Sequence, residues 1–265
     1  MARYNPDYLT YVEAERERLG ENHPLFLTQY CLQPIRGGGG FLSIQQRAQL
    51  SGGHARKHVP GSGKVYVAGI DLAGEAEEGE DVILRSIKPR QDSTVVTVGE
   101  LDFEHVNEIN KQPSIRVVEH YWWTGHKHPE LYPQLVDILK NVWRCRRVVV
   151  DATGVGQPVA SFLRKALGSR VVPFTFTSSS KSRLGFDLLA VVNSGRLKIY
   201  AGSGSPEYQE CWQEMELARS HYRPNQTINF YVEPARGHDD FLMSLALLVE
   251  AANTYSPRGA RGRDT

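Results

Sequence analysis

Acidic residues in this chain stand where its strongest apolar runs end or begin: Asp71 after KVYVAGI, Asp151 after RRVVV, and Asp239-Asp240 ahead of FLMSLALLVEA. A carboxylate directly after a buried β-branched run is fixed at the exposed end of a sheet, and one in the first turn of a helix sits where the macrodipole favours anions. Three rigid elements can thereby aim carboxylates at one point. Carboxylates gathered so closely repel one another, and the simplest neutralisation is a hard divalent cation with oxygen ligands, Mg²⁺ or Mn²⁺. Two such ions about 4 Å apart suit the in-line displacement of a phosphodiester. Taken singly, an Asp at a strand end also starts turns and an Asp at a helix start also caps. Of the two neighbours, Asp239 reads as the plain N-cap and Asp240, one residue inside, as the ligand.

The order of elements adds weight to the joint reading. Strand-like runs near 64–70, 93–99 and 115–122 precede a helical stretch from about 129 to 142, which predicts an antiparallel meander. Alternation follows: strand 147–151, helix 155–167, strand 170–174, helix 182–194, strand 197–200, helix 206–219, strand 227–232 and helix 239–254. A three-strand meander feeding into parallel strands, with helices on both faces of one mixed sheet, is an α/β arrangement in the order of the ribonuclease-H-like fold. There the first strand, the fourth strand and a late helix meet at one end of the sheet, and these elements carry Asp71, Asp151 and Asp239-Asp240 here.

Four stretches carry a resemblance: GIDLAG (69–74), VVVDATGVGQPVASFL (148–163), KSRLGFDLLAVVNSGRLKIY (181–200) and GHDDFLMSLALLVEA (237–251). Together they resemble the nuclease domain of the large terminase subunits of tailed bacteriophages, over roughly residues 25 to 251. The resemblance implies a Mg²⁺- or Mn²⁺-dependent endonuclease that cuts concatemeric double-stranded viral DNA during genome packaging, with two ions per site once DNA is bound. It implies Asp71, Asp151 and Asp240 as metal ligands with Asp239 close behind, His238 flanking the site, and Lys181 touching a DNA phosphate. It also implies an ATPase motor, a small terminase subunit and the portal as partners, in the cytoplasm of the infected host cell.

Such motors carry a phosphate loop, and the tempting Gly61-Ser62-Gly63-Lys64 fails that test. No Gly stands five residues before Gly63, Val65 replaces the Ser or Thr that would hold Mg²⁺, and a strand rather than a helix follows. NHPLFLTQYCLQPIRGGGGFL (22–42) resembles the junction between motor and nuclease. The expected organisation is therefore an N-terminal helical arm and Gly-rich link over 1–63, a nuclease domain over 64–255, and a basic, disordered tail over 256–265. Residues 5–20 read as a helix capped by Asn5 and stopped by Gly20, and 51–63 as a flexible connection.

A net charge of +1 is small for a DNA enzyme, so the basic residues must be sorted locally. They cluster as Arg56, Lys57, His58 and Lys64, as Arg144, Arg146 and Arg147, and as Lys181 and Arg183, while Glu75 to Asp81 is acidic. Lys181, Arg183, His238 and Arg146 are the residues expected along a DNA path. Cys31, Cys145 and Cys211 are too few and too scattered for a disulfide framework and read as core thiols in a reducing compartment. No apolar run approaches the ~18 residues of a membrane span, and no secretory leader is visible. An acidic insertion over 72–93, containing DVILRSIKP, reads as an extra strand or hairpin beside the site. The glycines of Thr153-Gly154-Val155-Gly156 admit a ligand or simply a tight turn, and the turn suffices. His126 and His128 read as a surface loop, and Trp122 and Trp123 as packing residues. Three other readings stay open: a Holliday-junction resolvase or transposase-like nuclease of the same fold, an actin-like nucleotide-binding module, and a silent packaging scaffold.

Overall fold

The computed structural model describes residues 6–32, 39–73, 93–104, 106, 112–154, 156–223 and 225–256. Its centre is a six-stranded mixed sheet of β2 (Val65–Asp71), β3 (Ser93–Asp102), β4 (Ser114–Thr124), β5 (Arg147–Asp151), β6 (Val171–Phe174) and β7 (Leu197–Ile199). The spatial order is β6-β5-β2-β3-β4-β7. β2, β3 and β4 form the antiparallel meander, whereas β5 lies parallel to β2, β6 parallel to β5, and β7 parallel to β4.

Strand alternation assigns side chains to two faces. Tyr66, Ala68 and Ile70 of β2, with Val148 and Val150 of β5, pack against α4 (His128–Val136) and α5 (Gly156–Leu167) through Leu131, Leu135, Val159 and Leu163. Val67 and Val149 face the opposite way, onto α8 (Asp240–Asn253). A second layer, α6 (Ser178–Asn193) and α7 (Pro206–Leu217), packs against α8, so that helix is buried from Asp240 to Ala252. Its uninterrupted FLMSLALLVEA follows from having protein on every side.

Gly69 sets the spacing between sheet and helix. A Cβ there would lie 2.2 Å from both the Ser244 carbonyl oxygen and the Leu248 nitrogen, so only glycine lets α8 rest directly on β2. A buried chain of hydroxyls adds a polar tie: Thr97 Oγ1 meets Ser244 Oγ at 2.7 Å and His120 Nδ1 at 3.0 Å. Burial pulls the His120 imidazole down to about 3, which keeps it neutral in the core.

Several elements differ from the sequence reading. α6 starts at Ser178, four residues before the expected 182, because Thr177 and Ser180 form a reciprocal cap. α7 ends at Leu217, and a strand, β8 (Arg219–Tyr222), pairs with β9 (Ile228–Tyr231) and with β1 (Gly39–Gly40) in a separate three-stranded sheet. Two helices, α2 (Pro24–Gln29) and α3 (Ile44–Leu50), appear in stretches without a helical reading. α1 (Pro6–Leu19) occupies the expected 5–20 span and packs on α6, and between α1 and α2 His23 Nε2 lies 3.0 Å from the Phe186 carbonyl oxygen.

The flexible connection expected over 51–63 is a strap. Gly52 N donates to Ile199 O, Lys57 N donates to Val118 O, and His54 Nε2 lies 2.7 Å from Val117 O. Arg56 and Lys57 then reach buried carboxylates of the sheet, a long-range pairing that local composition does not reveal. His128 is likewise no surface-loop residue: it opens α4, is buried, and has Nε2 3.0 Å from Ala73 O. Most of the acidic insertion (74–92), Asn5, Gly37, Gly38 and most of the tail (257–265) lie outside the described residues. Cys145 and Cys211 are buried free thiols and Cys31 is an exposed one.

Candidate active site

Asp71 and Asp151 end neighbouring parallel strands. The register pairs Ile70 with Val150, so the next residue on each strand is an aspartate at the same edge of the sheet. Asp71 is only 8 % exposed, and Asp151 is half-buried. Behind Asp151 the chain reverses tightly: Thr153 N donates to Asp151 Oδ1 at 2.8 Å, and Phe176 N donates to Thr153 Oγ1 at 2.9 Å. Gly156 closes the reversal, since a Cβ there would lie 2.5 Å from the Asp151 carbonyl oxygen. The DATGVG segment thus fixes a carboxylate through its own turn.

Asp240 comes from the opposite direction, on the first residue of α8, where it is buried and its Oδ2 accepts the Ser93 N–H at 3.0 Å. That bond ties the helix to the start of β3, next to β2. Asp239 occupies the N-cap position but makes no side-chain cap hydrogen bond. Its Oδ2 lies 3.9 Å from Lys181 Nζ, so the plain-cap reading is corrected: this carboxylate faces a cation on α6. Lys181 Nζ also sits 5.4 Å from the centroid of the Phe230 ring.

Burial raises the Asp71 carboxyl well above the ordinary Asp value, and the negative charges of Asp240, Asp239, Asp151 and Glu214 push it the same way. Burial also raises Asp151, against the opposing bonds from Thr153. At Asp71 burial thus acts together with neighbouring carboxylates, whereas at Asp151 burial alone raises the group.

A cavity of about 200 Å³ adjoins Asp240 and is lined by Ser93, Trp122, Thr124, Glu210, Glu214 and His238. Trp122 meets Phe241 edge-on at 5.5 Å, so it packs as well as lines. His238 is thus placed beside the acidic residues. Arg183 is engaged by Glu250 at 2.7 and 3.1 Å and lies 5.8 Å from the centroid of the Phe174 ring. Arg146 precedes β5, five residues before Asp151, which along an extended strand is about 16 Å toward the opposite sheet edge.

Sequence reading passed over Glu214. It is 2 % exposed, and burial raises its carboxyl well above the ordinary value, with Asp240, Asp239 and Glu210 adding to the rise. Its signal was there: Cys211, Glu214, Met215 and Ala218 keep the spacing of one buried helix face, and an acid on such a face needs a reason.

Among the described residues no group of three or more His, Cys, Asp or Glu side chains is placed so as to hold a metal ion. The donor set nevertheless fits a hard cation: its aspartates offer oxygen only, are mutually repelling, and are held by backbone N–H groups from Ser93 and Thr153.

The family described as the terminase RNaseH-like domain matches residues 86–250. The chain belongs to that family. Among solved structures, the large terminase nuclease of thermophilic phage G20c is 19% identical, with TM-score 0.57, covering 82% of this chain and 99% of that one. The nuclease domain of the Thermus phage P74-26 large terminase is 18% identical, with TM-score 0.53, covering 77% of this chain and 91% of that one. The large terminase of bacteriophage HK97 is 13% identical, with TM-score 0.53; the match covers 94% of this chain and 51% of that one, so the chain spans about half the HK97 protein. No curated protein sequence matches. The terminase RNaseH-like assignment agrees with the ribonuclease-H-like topology seen here, a meander extended by parallel strands with helices on both faces. Other G20c nuclease structures contain bound magnesium and bound cobalt.

Proposed function

We propose that this chain is a metal-dependent endonuclease that cuts double-stranded DNA during viral genome packaging. The observation that supports the reading is the placement of Asp71 and Asp151 at the ends of neighbouring parallel strands, with Asp240 bound to the first residue of the strand beside β2, in a terminase-family fold. Asp71, Asp151 and Asp240 would hold two Mg²⁺ or Mn²⁺ ions, with Asp239 beside them. Such a pair, when bound, supplies Lewis-acid stabilisation to the entering and leaving oxygens of an in-line displacement.

The chain's own contribution is to preset the donors. Ser93 N–H holds Asp240, Thr153 N–H holds Asp151, and the parallel register of β2 and β5 sets Asp71 beside Asp151. Lys181 offsets part of the negative charge at Asp239 and lies where a DNA phosphate would approach, with His238 on the cavity wall. An ATPase motor, a small terminase subunit and the portal are the proposed partners, in the host cytoplasm. The small net charge of +1 suits an enzyme whose hold on DNA is supplemented by such partners.

The test is cleavage of supercoiled plasmid with Mg²⁺, Mn²⁺, Ca²⁺ or EDTA, comparing the parent with Asp71→Ala and Asp151→Ala. Nicking and linearisation that need Mg²⁺ or Mn²⁺ and vanish in both variants support the reading. Cutting that survives EDTA or either substitution rejects it.

A further inference from the structure

The N-terminus of α8 carries the two acidic residues that matter most from that side of the site, yet its N-cap residue makes no side-chain cap hydrogen bond. The first turn of any helix leaves backbone N–H groups without intrahelical acceptors. Here the earliest N–H to bond within the helix is that of Met243, which donates to Asp239 O at 2.8 Å. The preceding Leu242 N–H donates across to another helix, to Glu214 Oε2 of α7, at 2.9 Å. Glu214 performs from a distance the service that an N-cap Asp ordinarily performs for its own helix.

We propose that Glu214 is a positioning residue for the acidic site: it caps α8 in trans and thereby leaves the Asp239 carboxylate to face Lys181 and the metal site. This rests on the nuclease reading of that site. The geometry favours this role over a general acidic character. Glu214 is 2 % exposed, its bonded oxygen is directed at a particular amide, and α7 is anchored at its start by Ser205, which accepts the Tyr208 N–H, and by Glu207, which pairs with Arg56 at 3.1 Å. Burying a carboxyl beside other carboxylates is costly, and a structural role at the helix end is what offsets it. Were Asp239 to cap the helix itself, its side chain would turn back onto the Leu242 or Phe241 amide and away from Lys181.

Length and charge at position 214 can be separated. Glu214→Gln keeps the reach and an accepting carbonyl oxygen but has no charge; Glu214→Asp keeps the charge but withdraws the oxygen by one methylene. Both are measured in the full chain by plasmid-nicking kinetics with Mn²⁺ and by amide hydrogen exchange at Leu242. A capping role predicts that Glu214→Gln keeps Leu242 protected and rescues kcat. Glu214→Asp should expose that amide and lower kcat by about tenfold or more, with KM for DNA within about twofold, since ligand placement rather than DNA grip is disturbed. The reverse ranking, Asp active and Gln inactive, would overturn the proposal in favour of a role for charge. So would parental kcat in a variant whose Leu242 amide has lost protection. If the parent itself cuts nothing, it is the nuclease reading that fails, and the exchange measurement still decides the cap: equal protection in all three proteins overturns it, and protection lost only in Glu214→Asp upholds it.

Discussion

Two groups of buried carboxylates sit on the same sheet and are treated in opposite ways. Across β3 and β4, Glu100 and Glu119 are 1 % and 2 % exposed, and each meets cations from the strap: Lys57 Nζ lies 2.5 Å from Glu100, Arg56 Nε 2.5 Å from Glu119, and His58 Nδ1 2.7 Å from Glu119. At the sheet edge, Asp71 is also buried but has Asp240, Asp239, Asp151 and Glu214 as its electrostatic neighbours. Burial pushes Glu100 up, but the bonds from Lys57 and Tyr66 more than offset it, so Glu100 ends below its ordinary value while Asp71 ends well above. Two buried carboxylates on one sheet thus shift in opposite directions, Glu100 under the bonds from Lys57 and Tyr66 and Asp71 under burial and neighbouring acids.

The largest effect should come from removing the charge at the acidic edge without changing its shape. Asp71→Asn and Asp151→Asn should each lower plasmid cleavage by about a hundredfold or more with the fold retained, read by nicking rates and circular dichroism. Arg56→Ala attacks the other region. It strips Glu119 and Glu207 of their shared partner and leaves the buried Glu119 with only the exposed His58 and the His120 N–H, which should cost about 2 kcal/mol in denaturant unfolding. Metal-dependent cutting by the folded fraction should survive, and its loss would blur the division between the two regions.

Smaller effects test the sign of each shift. Asp71 has a raised carboxyl in the folded state, so the fold binds a proton that the unfolded chain has released, and metal-free stability falls as pH climbs above the ordinary Asp value of about 4. Asp71→Asn should flatten that dependence and, near neutral pH without divalent ions, be more stable than the parent by roughly 1–2 kcal/mol. Glu100 has the opposite sign: its lowered carboxyl contributes stability above the ordinary Glu value of about 4.5 that is lost as pH falls through the folded value. Lys57→Met should therefore cost about 1 kcal/mol near neutral pH and little in acid, by urea unfolding at both ends of that range.

The acidic edge was largely legible in the sequence because it is built from local patterns. VYVAGI and RVVV announce strands, and an Asp after each can only stand at a strand end; FLMSLALLVEA announces a helix whose first residue is Asp240. The strap was illegible for the converse reason. SGGHARKHVPGSG has the composition of a loose link, and only the distant Glu100, Glu119 and Val118 carbonyl give it a fixed path. Glu214 fell between these cases, since its periodicity marks it as buried but its partner, the Leu242 amide, lies on another helix. Arg146 shows the limit of reading charge by cluster, since it stands at the far end of the strand that carries Asp151, and the Glu250 partner of Arg183 was not visible in the sequence.

The central proposal is that the acidic residues gathered at the sheet edge bind divalent cations. The direct measurement is thermal unfolding of the parent, Asp71→Asn and Arg56→Ala with increasing Mn²⁺ near neutral pH. Selective binding to the folded chain should raise the parent's Tm by an amount that grows with the logarithm of Mn²⁺ once the site fills. The same rise is expected in Arg56→Ala from its lower starting point, and most of it should vanish in Asp71→Asn. A parent that gains nothing from Mn²⁺, or an Asp71→Asn variant that gains as much as the parent, would contradict the account.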